Sequence, residues 1–161
     1  FHGIGSGLSA GDTGVFLHNR GAGFNVTPGH PNEMAPGKRP LHTLSPTLWT
    51  RDGDLSLILG TRGGKFQPQL LVQVAASLFY AGLDPSSAQA APRWALPEFG
   101  PDTESVLQVE PGIDAAGLDA LGHTVTEVDG LQEGWGPVSM IVPGVGGAAD
   151  PRVSTAAVAT T

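Results

Sequence analysis

Cysteine is absent from this 161-residue chain, which excludes disulfides, zinc–thiolate sites and thiol catalysis. Charge is scarce: 14% of residues are charged, with 8 Lys and Arg against 15 Asp and Glu. The formal net charge is −7 and no basic patch exists, which argues against nucleic acid as a partner. No apolar run reaches the roughly 18 residues of a membrane-spanning helix, so no membrane segment is expected. The five histidines (His2, His18, His30, His42 and His123) form no close pair and no H-x-x-x-H helical pattern, so no metal site is expected. Sparse charge has two readings. Either a partner chain covers much of the surface, or the composition is simply biased toward Ala, Gly and Pro.

Glycine (24) and proline (14) are abundant, so many turns and few long helices are expected. The length suits one domain with a hydrophobic core. No internal repeat or linker divides residues 1–161, and an Ala/Thr-rich stretch at 154–161 is expected to be loose. The start, Phe1-His-Gly-Ile-Gly-Ser-Gly7, resembles neither a signal peptide nor an initiator sequence. It reads as part of something longer, cut or processed.

Residues 13–18 fit a short strand. The five prolines between 28 and 46 leave a long loop, either ordered for function or mobile. Asp52-Gly53 between two apolar runs predicts a hairpin, and Leu55, Ile58 and Leu59 suit a strand buried on both faces. Residues 67–80 predict a helix, because Leu71, Val74, Ala75, Leu78 and Phe79 share one face. Gly82 would stop it, and Asp84-Pro85 would open a short second helix. Strands are expected at 106–110, 124–128 and 138–142, and a third helix at 113–121.

Three places can carry chemistry. At Gly60-Thr-Arg-Gly-Gly-Lys-Phe-Gln-Pro68, a strand runs through Gly63-Gly64 into a helix. Such a turn exposes backbone N–H groups at a positive helix end, which suits an oxyanion hole for acyl transfer. A plain turn needing one positive φ is the alternative. His42 beside Thr43 suits acid–base work, the alternative being a His that satisfies a loop carbonyl. Arg20, before Gly21-Ala-Gly23, can grip a carboxylate or remain a solvated loop charge. Gly5-Ser-Gly-Leu-Ser-Ala10 matches a loose dinucleotide pattern, but no strand precedes it and no helical pattern follows.

Taken in order, Gly5-Ser-Gly7, Leu17-His-Asn-Arg20, Pro36-Gly-Lys-Arg-Pro40, Leu44-Ser-Pro46, Gly63-Gly64, Ala91-Pro-Arg93, Glu110-Pro-Gly112, Gly122-His123 and Asp150-Pro-Arg152 resemble the small subunit of the γ-glutamyltranspeptidase family. The likeness covers nearly the whole chain. It implies an α/β (α+β) chain, part of the four-layer αββα sandwich of an N-terminal-nucleophile hydrolase. It also implies a large-subunit partner cut from the same precursor, a small γ-glutamyl or other acyl-amide substrate, and no cofactor. The nucleophile would be a Thr freed by self-cleavage, with its own α-amine as base. That Thr would lie ahead of Phe1, so these residues alone are expected to be inert.

By position, the resemblance gives Gly63 and Gly64 the oxyanion role. His42 and Thr43 stand where a Ser-Ser pair commonly binds the substrate α-carboxylate, and Arg20 where a Gln helps hold the glutamyl group. Gly23 stands where an acidic residue commonly holds the α-amine. That departure, with Asn19-Arg-Gly-Ala-Gly-Phe24, is closer to the bacterial γ-glutamyltranspeptidase-like branch, which also resembles cephalosporin (glutaryl) acylases. Hydrolysis is therefore expected over transpeptidation. A non-catalytic scaffold or binding module is the competing class.

Overall fold

The computed structural model describes residues 2–98 and 104–159. It contains two compact units, Phe1–Thr43 and Leu44–Thr161.

The first unit is held by turns rather than by regular strands. Residues 13–18 do not form the expected strand. A 3₁₀ turn spans Gly11–Thr13, and pairing is limited to an isolated bridge between Ser9 and Phe16. Thr13 explains this locally: its hydroxyl donates to the Ala10 carbonyl and accepts from the Val15 N–H, closing a turn where a strand would begin. The Pro-rich stretch is ordered by side-chain bonds to backbone. Asn32 donates from Nδ2 to the Gly23 carbonyl and accepts the Leu41 N–H at Oδ1. Lys38 donates to the Pro31 carbonyl.

Among the described residues, the second unit has two sheets and two α-helices. Strands β1 (Thr47–Arg51) and β2 (Asp54–Thr61) form the expected hairpin. Asp52 and Gly53 both take positive φ, 55° and 93°, as a tight hairpin turn matching strand twist requires. Helix α1 (Gln67–Phe79) follows, and then α2 (Pro85–Ala90), whose N-cap Asp84 accepts from the N–H groups of Ser86 and Ser87. Strands β3 (Trp94–Ala95), β4 (Val106–Val109) and β5 (Thr124–Glu127) make a sheet in that order. Strands β6 (Val138–Val142) and β7 (Gly146–Ala148) complete the other, in the order β1-β2-β6-β7. Among the described residues, no helix is long and apolar enough to cross a membrane.

Two further expectations are corrected. Residues 113–121 form only a short 3₁₀ turn, Asp119–Leu121. Asp114 Oδ1 accepts the Ala116 N–H, and Gly117 takes φ of 81°, so the backbone leaves helical geometry twice. Strand β2 is not buried on both faces. Leu57 and Leu59 face the core with Leu70, Val74 and Met140, whereas Leu55 is exposed and Ile58 half-buried. The period of two turns Ile58 to the opposite face from Leu57 and Leu59, and Leu55 lies past a register shift in the β1–β2 ladder, where Trp49 pairs with Leu57 but Thr50 with Leu55.

Among the described residues, four charged groups are buried beside that core: Arg93, Glu110, Asp150 and Arg152. Arg152 grips Glu110 with both Nε and Nη2 and reaches Asp150 Oδ1 at 3.3 Å. Arg93 Nη1 lies 2.9 Å from Asp150 Oδ2. Gln89, also buried, accepts from Arg93 and donates to the carbonyls of Val138 and Ala148. Burial pushes both carboxyls upward in pKa. For Glu110 the Arg152 hydrogen bond and the N–H groups of Gln132 and Arg93 more than reverse this, and for Asp150 the Val138 N–H and the two arginines do so. Both carboxyls therefore lie below their ordinary values. Burial and the neighbouring Arg152 lower Arg93, while Arg152 is raised because its two carboxylates outweigh its burial.

A carboxylate depressed on folding stabilises the fold fully above its unfolded pKa, and this contribution is lost as pH falls through the folded value. The thermal midpoint should hold at neutral pH and drop once pH passes below the ordinary values of 4.5 for Glu110 and 3.8 for Asp150. Glu110→Gln or Asp150→Asn should each cost about 3–5 kcal/mol by leaving a buried arginine uncompensated. Denaturant unfolding at neutral pH measures this, and a cost within the range of a surface pair, about 1 kcal/mol or less, would contradict the assignment.

Candidate active site

The end of β2, the Gly-Gly turn and the start of α1 form one continuous junction. Gly63 has φ 120° and ψ 10°, and Gly64 has φ 57°. A 3₁₀ turn, Gly64–Phe66, then leads into α1, with Pro68 where no N–H partner is needed. Among the described residues, no hydrogen bond uses the N–H of Gly63 or of Gly64. Both residues are half-buried. Two adjacent unpaired donors at the positive end of a 13-residue helix can stabilise negative charge growing on a substrate oxygen.

The two glycines are required for different reasons. A Cβ on Gly63 would lie 2.0 Å from the Trp135 carbonyl oxygen, so the backbone of residues 135–136 occupies that space. A Cβ on Gly64 would meet nothing within 4 Å. The space above Gly64 is open to a ligand, and an adjoining hollow of about 340 Å³ is lined by Arg62, Gly63, Glu133, Gly134 and Gly136. Arg62 and Glu133 pair across it at 2.9 Å, both exposed.

In the first unit, Arg20 opens the 3₁₀ turn Arg20–Gly23. Its N–H donates to His18 Nδ1, and its Nη1 donates to Thr43 Oγ1 at 3.2 Å. The structure thus brings Arg20 and Thr43 together, half-buried, with the His42 side chain exposed beside them in sequence. A Cβ on Gly23 would lie 2.8 Å from the Leu41 carbonyl oxygen, so backbone fills the place from which a longer side chain would project. Among the described residues, no group of three or more His, Asp or Glu side chains is placed to hold a metal ion.

Sequence reasoning did not single out the 132–137 stretch that packs on Gly63, nor the buried charge cluster. Gly134-Trp-Gly136 carried a signal for the first, since paired glycines often mark close backbone approach. Ala91-Pro-Arg93, Glu110-Pro-Gly112 and Asp150-Pro-Arg152 carried one for the second, through charged residues in a chain that has few.

Comparison with known proteins now places the chain. Its mixed α/β layout is that of N-terminal-nucleophile hydrolases. It superimposes on the cephalosporin acylase of Bacillus halodurans with a TM-score of 0.78 and 31% identity, over 98% of this chain and 30% of that one. The gamma-glutamyltranspeptidase family model matches residues 2–160, and the chain belongs to that family. It is 34% identical to a glutathione hydrolase-like proenzyme of Bacillus subtilis, over 96% of this chain and 31% of the relative. It is 33% identical to the oxamate amidohydrolase proenzyme of Klebsiella pneumoniae, over 98% of this chain and 31% of the relative. The chain thus spans about a third of the length of these curated relatives.

The contrast between the glycines is testable. Gly64→Ala keeps its N–H and should cost about 1–2 kcal/mol, the strain of a left-handed L-residue. Gly63→Ala adds a direct clash with the Trp135 carbonyl and should cost markedly more, read as a larger fall in thermal midpoint. Equal falls would contradict the packing described.

Proposed function

We propose that this chain supplies the oxyanion-stabilising half of an amide hydrolase acting on γ-glutamyl or glutaryl-type amides. The observation that carries the reading is the pair of unengaged N–H groups at Gly63 and Gly64. In the proposed reaction a Thr hydroxyl, lying ahead of Phe1 by family resemblance, attacks the amide carbonyl carbon. Its proton passes to the Thr α-amine, and the carbonyl oxygen becomes an oxyanion that accepts from Gly63 and Gly64. Collapse breaks the C–N bond, the amine leaves with the proton, and an ester-linked acyl-enzyme remains. Water then attacks the ester and releases the acid; an acceptor amine in place of water would give transfer.

A large-subunit chain from the same precursor is the proposed partner, in keeping with relatives named as proenzymes. Arg20, with Thr43 held against it, is the proposed carboxylate grip, and His42 borders it. A second reading, an acylase for acyl groups without an α-amine, is favoured by Gly23. An acidic side chain there would hold the α-amine, and the Leu41 carbonyl leaves no room for even a Cβ.

The test uses the full-length, self-cleaved protein with γ-glutamyl and glutaryl p-nitroanilides. Hydrolysis of at least one is expected, with glutaryl turnover equal to or faster than γ-glutamyl under the second reading. Clear preference for the γ-glutamyl compound would remove the second reading. No release of nitroaniline from either by matured protein would overturn the proposal.

A further inference from the structure

We infer that Thr61 is a positioning residue that aims the Gly63 N–H, acting through the Arg62–Gly63 peptide; this rests on the oxyanion role proposed above. Thr61 is the last residue of β2. Its Oγ1 lies 2.7 Å from two carbonyl oxygens, those of Arg62 and Pro137. A hydroxyl carries one proton, so it donates to these oxygens in turn and keeps both directed at one point. Without it, two carbonyl dipoles would be left converging without a donor between them.

The Arg62 carbonyl and the Gly63 N–H belong to the same planar trans peptide, so fixing the direction of one fixes the other. The same carbonyl is also seated against a second stretch of backbone. A Cβ on Gly136 would lie 1.9 Å from the Arg62 oxygen and 3.1 Å from Thr61 Oγ1, so glycine at 136 is what lets the carbonyl seat there. Reciprocally, Gly63 leaves room for the Trp135 carbonyl. The two segments interlock through two glycines with the Thr61 hydroxyl beside them. The buried Trp135 side chain, packed 6.5 Å from the Phe66 ring, holds the brace down.

Thr61→Val keeps the shape and removes the hydroxyl, whereas Thr61→Ser keeps the hydroxyl. In the full-length, self-cleaved protein, Thr61→Val should lower kcat on the anilide that wild type hydrolyses by roughly 10- to 100-fold. KM should change by less than about twofold, as when a group matters only in the transition state. Thr61→Ser should return kcat to within about threefold of wild type. Amide hydrogen exchange at Phe66 and Gly136, whose N–H groups bond the Gly63 and Glu133 carbonyls on either side of this contact, gives a readout independent of turnover: it should quicken in Thr61→Val and not in Thr61→Ser. Wild-type kcat in Thr61→Val, a serine variant no better than the valine one, or unchanged exchange would each overturn the inference. If wild type cleaves neither anilide while exchange responds as described, the proposed function fails and the positioning of the peptide stands.

Discussion

The pairing of Glu110 and Asp150 with Arg152 and Arg93 is the constraint on which the rest of the second unit depends. These carboxylates do more than neutralise arginines. Glu110 Oε1 accepts the Gln132 N–H at 2.7 Å, and Asp150 Oδ2 accepts the Val138 N–H at 2.8 Å. They hold the two ends of the segment whose middle, Trp135 and Gly136, seats against Arg62 and Gly63. Gln89 adds to the same anchorage, since it donates to the Val138 carbonyl. A buried ion pair contributes little net stability compared with well-packed apolar residues, yet breaking one is costly. Here the cluster's main consequence is placement: it fixes a loop end to end, and that loop fixes a peptide plane.

How far this was legible in the sequence varied with the range of the interaction. The hairpin and α1 were readable because their causes are local: Asp52-Gly53 takes two positive φ angles, and an apolar stripe repeats along one face of residues 67–79. Residues 113–121 misled because Asp114 and Gly117 redirect a backbone whose apolar spacing resembles a helix. The short strands β3 and β7 have too few residues to show a period. The brace was hidden for another reason. Thr61 and Pro137 are 76 positions apart, and nothing in either stretch announces the other.

The Gly-Gly junction was the most readable part of the candidate site, and the structure divides its meaning. Gly63 is glycine because another backbone lies on it; Gly64 has open space above it. Gly23 follows the logic of the first, with the Leu41 carbonyl against it and Asn32 bridging the two segments. A residue that reads in sequence as a missing carboxylate is, in the fold, a place where the Leu41 carbonyl lies against the backbone. Relatives bear names as different as glutathione hydrolase-like proenzyme and oxamate amidohydrolase proenzyme, so membership of the γ-glutamyltranspeptidase family does not by itself name a substrate.

The most direct test of the account is a crystal structure of the full-length, self-cleaved protein with its nucleophile trapped as a tetrahedral adduct. The account predicts the adduct oxygen about 2.7–3.1 Å from both the Gly63 and Gly64 nitrogens, with the Arg62 carbonyl still seated on Thr61 Oγ1 and against Gly136. An oxygen directed to other donors, with the two glycine N–H groups turned away from it, would contradict it.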